Sequence, residues 1–163
     1  MDRSIPEERL REGLDQIVRE VTEAAAGISL VRGDAALGEH VCTVHIAFRK
    51  GFRSSLSLRA DAALFGRMAQ SMLRKEEQVT AQELEDAAKE YFNVLCGHIA
   101  AALYKSTHVA ARFSVPSFHW GKYSPADHRE QFVIRYSGCQ NEAAELVHHV
   151  PVPQEENAGT GSI

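Results

Sequence analysis

Asp86, Glu90, Asn93 and Gly97 follow one another at intervals of four, three and four residues. On a helix, such intervals make each side chain a neighbour of the next. A helix is predicted here, from Ala81 to Tyr104. At about 100° per residue, Leu84, Ala88, Tyr91, Leu95, Ile99 and Ala102 fall on one narrow apolar stripe. Asp86, Glu90, Asn93 and Gly97 fall on the opposite side. The residue types on offer are two acceptor-only carboxylates and an amide that both accepts and donates, with a glycine at the end. Beyond Asn93 the segment is apolar almost all round, through Val94, Leu95, Cys96, Ile99 and Ala100–Leu103, and should be buried on most sides. An asparagine in the middle of such a helix is an oddity, because its side chain competes with the backbone for hydrogen bonds. On its own, an E-x-x-N pair on a helix reads as a solvated face. The wider spacing has to decide.

The elements that position this helix can be read around it. Pro6 followed by Glu7 and Glu8 opens a first helix, with Leu10, Leu14, Ile17, Val18 and Val21 at helical spacing and a stop near Gly27. Residues 41–48 alternate and are β-branched, so they read as a strand. Lys50-Gly51 is a turn signal. Phe52 to Leu58 then completes a hairpin. Asp61 is placed to cap a helix reaching about Arg74, with Leu64, Phe65, Met68, Met72 and Leu73 inward. Thr80 with Glu83 forms a capping box for the helix of interest. Strands are expected from Val109 to Phe118, Gln131 to Ser137 and Ala144 to Val150, with a polar loop at 121–129. The fold class implied is α+β: a mainly antiparallel sheet with helices packed on one face, in two pseudo-repeated helix-strand-strand halves. Residues 1–150 form one domain, and 151–163 a flexible tail.

Composition narrows the function. Apolar residues make up 44% and charged residues 25%, the balance of a globular protein. The net charge of −4 gives no basic footprint for nucleic acid. No run approaches the roughly 18 apolar residues of a membrane span, and Met1-Asp2-Arg3-Ser4 leads into charge with no secretory stretch. A cytoplasmic protein is expected. Cys42, Cys96 and Cys139 are far apart and read as reduced thiols.

Other chemistries find less support. The eight histidines show no metal-ligand spacing. On an alternating strand His45 points away from His40 and Cys42, and His148 and His149 point apart. No metal site is expected. Ser54, Ser55 and Ser57 lie in a predicted strand with no base attached by motif, so a hydrolase triad is not expected. Trp120 and Tyr123 lie in the loop after Pro116, and the tryptophan there reads as a packing lid rather than a binding anchor.

The wider spacing is distinctive. Asp86-x-x-x-Glu90-x-x-Asn93 is followed by 22 residues and then Pro116, with Gly97 four residues beyond the asparagine. In this the chain resembles the CheC/CheX/FliY chemotaxis phosphatases, whose signature is an acid or serine, three residues, glutamate, two residues, asparagine, 22 residues, proline. Gly51 before an alanine-rich helix start (Ala60, Ala62, Ala63) fits as well. The likeness in element order runs from about residue 5 to 150. The first helix offers only Glu20-x-x-Glu23, so one motif is present, which points to the CheX branch. The chain departs from its relatives in having Tyr91 and Phe92 inside the motif, and Cys96 and His98 beside Gly97.

The resemblance implies an activity. The substrate would be a phosphorylated CheY-like response regulator, whose aspartyl phosphate is hydrolysed. The Mg2+ is the partner's, and no cofactor of this chain's own is implied. Asn93 would orient the attacking water and Glu90 would pair with the regulator's lysine, as the catalytic residues. Asp86 and Gly97 would serve partner binding, and Pro116 the structure. A homodimer is implied, joined through a strand edge near the C-terminal end. The alternative is a catalytically idle scaffold for a regulator or a flagellar switch protein.

Overall fold

The computed structural model describes residues 5–153. Helix α1 (Glu7–Ala26) begins behind Pro6 and ends at Gly27, whose left-handed φ of 65° turns the chain so that the Ile28 N–H meets the Thr22 carbonyl at 3.4 Å. A two-residue strand, β1 (Val31–Arg32), was not foreseen. Strands β2 (Val41–Lys50) and β3 (Ser55–Asp61) make the expected hairpin, with Gly51 at φ 95° in its turn. Helices α2 (Ala62–Leu73) and α3 (Ala81–Thr107) follow. The remaining strands are β4 (Arg112–Phe113), β5 (Ser117–Trp120), β6 (His128–Ser137) and β7 (Ala143–Pro151).

All seven strands pair antiparallel, in the order β1-β6-β7-β3-β2-β4, with β5 also on β2. The hairpins β2-β3 and β6-β7 meet along β3 and β7. The two echoing halves of the sequence therefore sit side by side in the sheet. The fold is α+β, with α1, α2 and α3 on one face. Strand alternation explains why. Cys42, Val44, Ile46, Leu56, Leu58, Ala60, Ala144, Leu146, Phe132, Ile134 and Tyr136 all face the helices and are buried in one core.

The opposite face is polar and still largely buried. Thr43, His45, Ser57, Arg59, Glu145 and His149 lie on it. The chain between β5 and β6 covers them. Thr43 Oγ1 donates to the Gly121 carbonyl at 2.8 Å, and Arg59 to Ser124 Oγ at 2.9 Å. Tyr123 stacks on His119 and meets His45 edge-on. Tyr123 is the lid over this face. Trp120, expected in that role, is not: it closes β5 and stays 58% exposed.

Several boundaries move. The capping box of Thr80 and Glu83 forms as expected, with mutual bonds of 3.0 and 2.9 Å. Asp61 precedes α2 but does not cap it. Its carboxylate instead accepts from the backbone of Gly38 at 2.7 Å and Ala143 at 2.8 Å, tying a loop and β7 to the helix start. The strand expected at 109–118 is broken into β4 and β5. Pro116 has no N–H to give the ladder, so the chain bows out at Ser114–Pro116 and rejoins β2 afterwards. At the C-terminal end Pro151 still belongs to β7, and Val152 N–H bonds the Asp127 carbonyl at 3.0 Å. The rest of the expected tail, 154–163, lies outside the described residues.

Candidate functional site

Helix α3 is gripped on three sides, by α1, by α2 and by strands β2 and β5. That grip buries more of it than one stripe. Phe92, which is not on the apolar stripe read from the sequence, is fully buried, as are Tyr91, Leu95 and Cys96. Tyr91 donates to Thr22 Oγ1 of α1 at 2.6 Å, and Thr22 in turn donates to the Val18 carbonyl. The bond fixes the rotation of α3 and so decides which side chains are left for solvent. Among the residues left exposed are Asp86, Glu90, Asn93 and Gly97, which share one face.

The bowed chain at Phe113, Ser114, Val115 and Pro116 stands opposite Asp86, Lys89, Glu90 and Asn93. Together they enclose an open groove of about 440 Å³. The 22-residue interval thus has a spatial meaning, because it brings Pro116 back to the face that carries Asn93. The wall is anchored. Ser114 N–H donates to the Ala47 carbonyl, and Ala47 N–H to Ser114 Oγ.

Neighbouring side chains on α3 are tethered along the helix. Gln82 donates to Asp86 at 2.9 Å, and Lys89 pairs with Glu85 at 3.0 Å. Glu90 and Asn93 make no such bond among the described residues. They point into the groove uncommitted, one turn apart. Gly97 lies a further turn along and does not line the groove. A Cβ there would meet nothing within 4 Å, so packing within the chain does not require glycine at this position. Lys89, Phe113, Ser114 and Val115 were missed in the sequence. The only signal for the wall was the spacing to Pro116.

A second polar cluster lies far from this groove in sequence. Ser57 Oγ sits between His45 Nδ1 at 2.7 Å and His149 Nε2 at 3.0 Å. A base is therefore attached to Ser57, which the motifs did not show. Ser57 and His149 are completely buried, however, so no substrate carbonyl could reach the hydroxyl. Burial, and the neighbouring imidazole of His149, push His45 down to about 4. Among the described residues no three His, Cys, Asp or Glu side chains are grouped to hold a metal ion. No helix among them is long and apolar enough to cross a membrane.

The sheet-backed helix, with a polar face set against the wall of Phe113–Pro116, defines a small α+β domain with one open groove on its long helix. The chain belongs to the CheX family: the family model described as chemotaxis phosphatase CheX matches residues 42–137, which contain the whole groove. Solved structures share the fold. A chemotaxis protein CheX from Desulfovibrio desulfuricans superposes with a TM-score of 0.67 at 18% identity, covering 85% of this chain and 97% of that one. CheX from Vibrio vulnificus gives 0.66 at 17%, covering 91% and 99%. The CheX of a CheX–CheY–BeF3–Mg2+ complex from Borrelia burgdorferi gives 0.67 at 12%, covering 86% and 96%. A comparison with curated protein sequences finds no match.

Proposed function

We propose that this chain is a protein phosphatase that hydrolyses the aspartyl phosphate of a CheY-like response regulator in the cytoplasm. One observation carries the reading: Glu90 and Asn93 are uncommitted, exposed and one turn apart in a groove that Pro116 helps to close. A CheX–CheY complex carrying BeF3 and Mg2+ in a structural relative supports this choice of partner class.

The chemistry asked of this chain is modest. The regulator supplies the phosphoryl group, its lysine and the Mg2+, and this chain needs no cofactor of its own. Asn93 accepts a hydrogen bond from a water and aims its lone pair at phosphorus. Glu90 pairs with the regulator's lysine and sets the docking register. Asp86 supports that contact, and Gly97 lets the partner backbone come close. The protein acts as a homodimer joined at the free edge of β6. In support, β1 covers β6 only at Tyr136 and Ser137, with the Gly33 N–H on the Arg135 carbonyl, so that among the described residues no strand pairs the β6 edge from His128 to Ile134. The last strand, β7, is interior and cannot serve.

The test is a time course of phosphate loss from a phosphorylated regulator of the same genome, with and without this protein. No acceleration, together with retained binding, would favour the idle scaffold. Sedimentation at micromolar concentration tests the dimer, and a monomer there rules it out.

A further inference from the structure

We infer that Lys89 is a positioning residue for the phosphorylated partner, and that its ion pair with Glu85 is a resting contact exchanged on docking. The inference rests on the function proposed above and adds a residue that the E-x-x-N pattern does not contain.

Charge in the groove is the starting point. Of the described residues that line it, Asp86 and Glu90 are acidic and Lys89 is the one cation. Glu85 stands just behind, paired to Lys89 at 3.0 Å. The groove is thus net negative. A phosphorylated aspartate brings a dianionic phosphoryl group and the carboxylates that hold its metal. The partner's metal and lysine offset part of that charge, and a cation on this side of the groove would offset more of it.

Lys89 is placed to be that cation. It precedes Asn93 by four residues and Glu90 precedes Asn93 by three, so both sit one turn below the amide on the same side of α3. Asn93 is flanked by one positive and one negative group. Glu90 matches the partner's lysine, and Lys89 matches the phosphoryl oxygens. The ammonium rides on a four-carbon stem with freely turning donors, so it can swing from Glu85 toward Asn93 without moving the helix. Glu85 and Lys89 are both partly exposed, at 29% and 35% for their side chains, so the resting pair is weak and easily exchanged. The phosphoryl charge exists before reaction begins. Lys89 should therefore act on binding more than on turnover.

The experiment measures the half-saturating regulator concentration and the saturating rate separately, and the binding of beryllofluoride-loaded regulator alongside. Lys89→Ala should raise half-saturation and the Kd about fivefold, with the saturating rate within about twofold of the parent. Lys89→Arg should restore both. Glu85→Gln removes the competing carboxylate and should lower half-saturation, and in the double variant Glu85→Gln/Lys89→Ala that gain should vanish. Added salt should weaken the parent more than Lys89→Ala. Unchanged half-saturation and Kd in Lys89→Ala, or equal and same-direction shifts for Lys89→Ala and Glu85→Gln, overturn the inference. A parent that binds the loaded regulator but releases no phosphate sinks the phosphatase reading alone, and the Kd series still decides the role of Lys89. A parent that neither binds nor hydrolyses sinks both.

Discussion

Ala47 and Ser114 exchange two hydrogen bonds: the Ser114 N–H donates to the Ala47 carbonyl at 2.8 Å, and the Ala47 N–H to Ser114 Oγ at 3.0 Å. The second of these uses a side chain where a strand would have used backbone. It holds the bowed wall to β2 across the gap in the ladder. Ser114→Ala should cost about 1 kcal/mol by leaving the half-buried Ala47 N–H without its partner. The wall should also loosen, raising half-saturation for regulator a few-fold. Chemical denaturation and the phosphatase titration read the two effects, and unchanged values in both would remove Ser114 from the architecture of the groove.

Asn93→Ala should lower the saturating rate about 10²-fold, on the order of 3 kcal/mol of lost transition-state stabilisation, with little change in half-saturation. Glu90→Ala should shift both, because the lysine it meets is charged from the start. Both side chains are exposed, so stability should stay within about 0.5 kcal/mol. An Asn93→Ala protein that turns over at the parent rate would falsify the water-orienting role.

Gly97 separates stability from docking. Since a Cβ there would meet nothing, Gly97→Ala should stabilise the helix by about 0.5–1 kcal/mol. The same change should weaken regulator binding, and Gly97→Leu should weaken it further. A thermal melt paired with a binding titration checks this. Tighter or equal binding of both variants would mean that the partner does not approach at Gly97.

The buried histidines set an acid limit. Burial, followed by neighbouring charge, pushes His45, His148 and His149 each down to about 4 from an ordinary 6.5. The folded state therefore binds fewer protons than the unfolded chain between those values. Stability should be flat above about pH 6.5 and fall as pH drops toward 4. The slope is at most about 1.4 kcal/mol per pH unit for each imidazole. Urea midpoints from pH 7.5 to 5 measure it, and a flat profile contradicts the burial of these rings as neutral groups.

What could be read in the sequence was what depends on neighbours along the chain. The Thr80–Glu83 capping box, the glycine stop of α1 and the alternating faces of β2 and β7 all act over a few residues, and the exposed face of α3 followed from helical spacing. What stayed hidden depends on distant partners. Phe92 is buried because α1 and α2 both close on α3. Asp61 looked like a cap, and two distant backbone N–H groups claim it instead. Ser57 acquires its second imidazole from His149, 92 residues away. Proline was visible at 116, but that its break would throw Val115 out over the groove was not.

The hairpin turn at Gly51 gives the motif spacing a mechanical sense. A Cβ there would lie 3.1 Å from the Ala110 carbonyl oxygen and from a Val109 methyl, and 3.2 Å from Ala111 Cα. The connection from α3 to β4 is thus held at one end by the left-handed turn of His108, at the other by the pairing of Phe113 with Phe48, and pressed in the middle by the hairpin. It has no slack. The interval between Asn93 and Pro116 works as a caliper whose jaws are the amide and the wall, and one residue added or removed between His108 and Phe113 would reset the opening while leaving every reactive group in place.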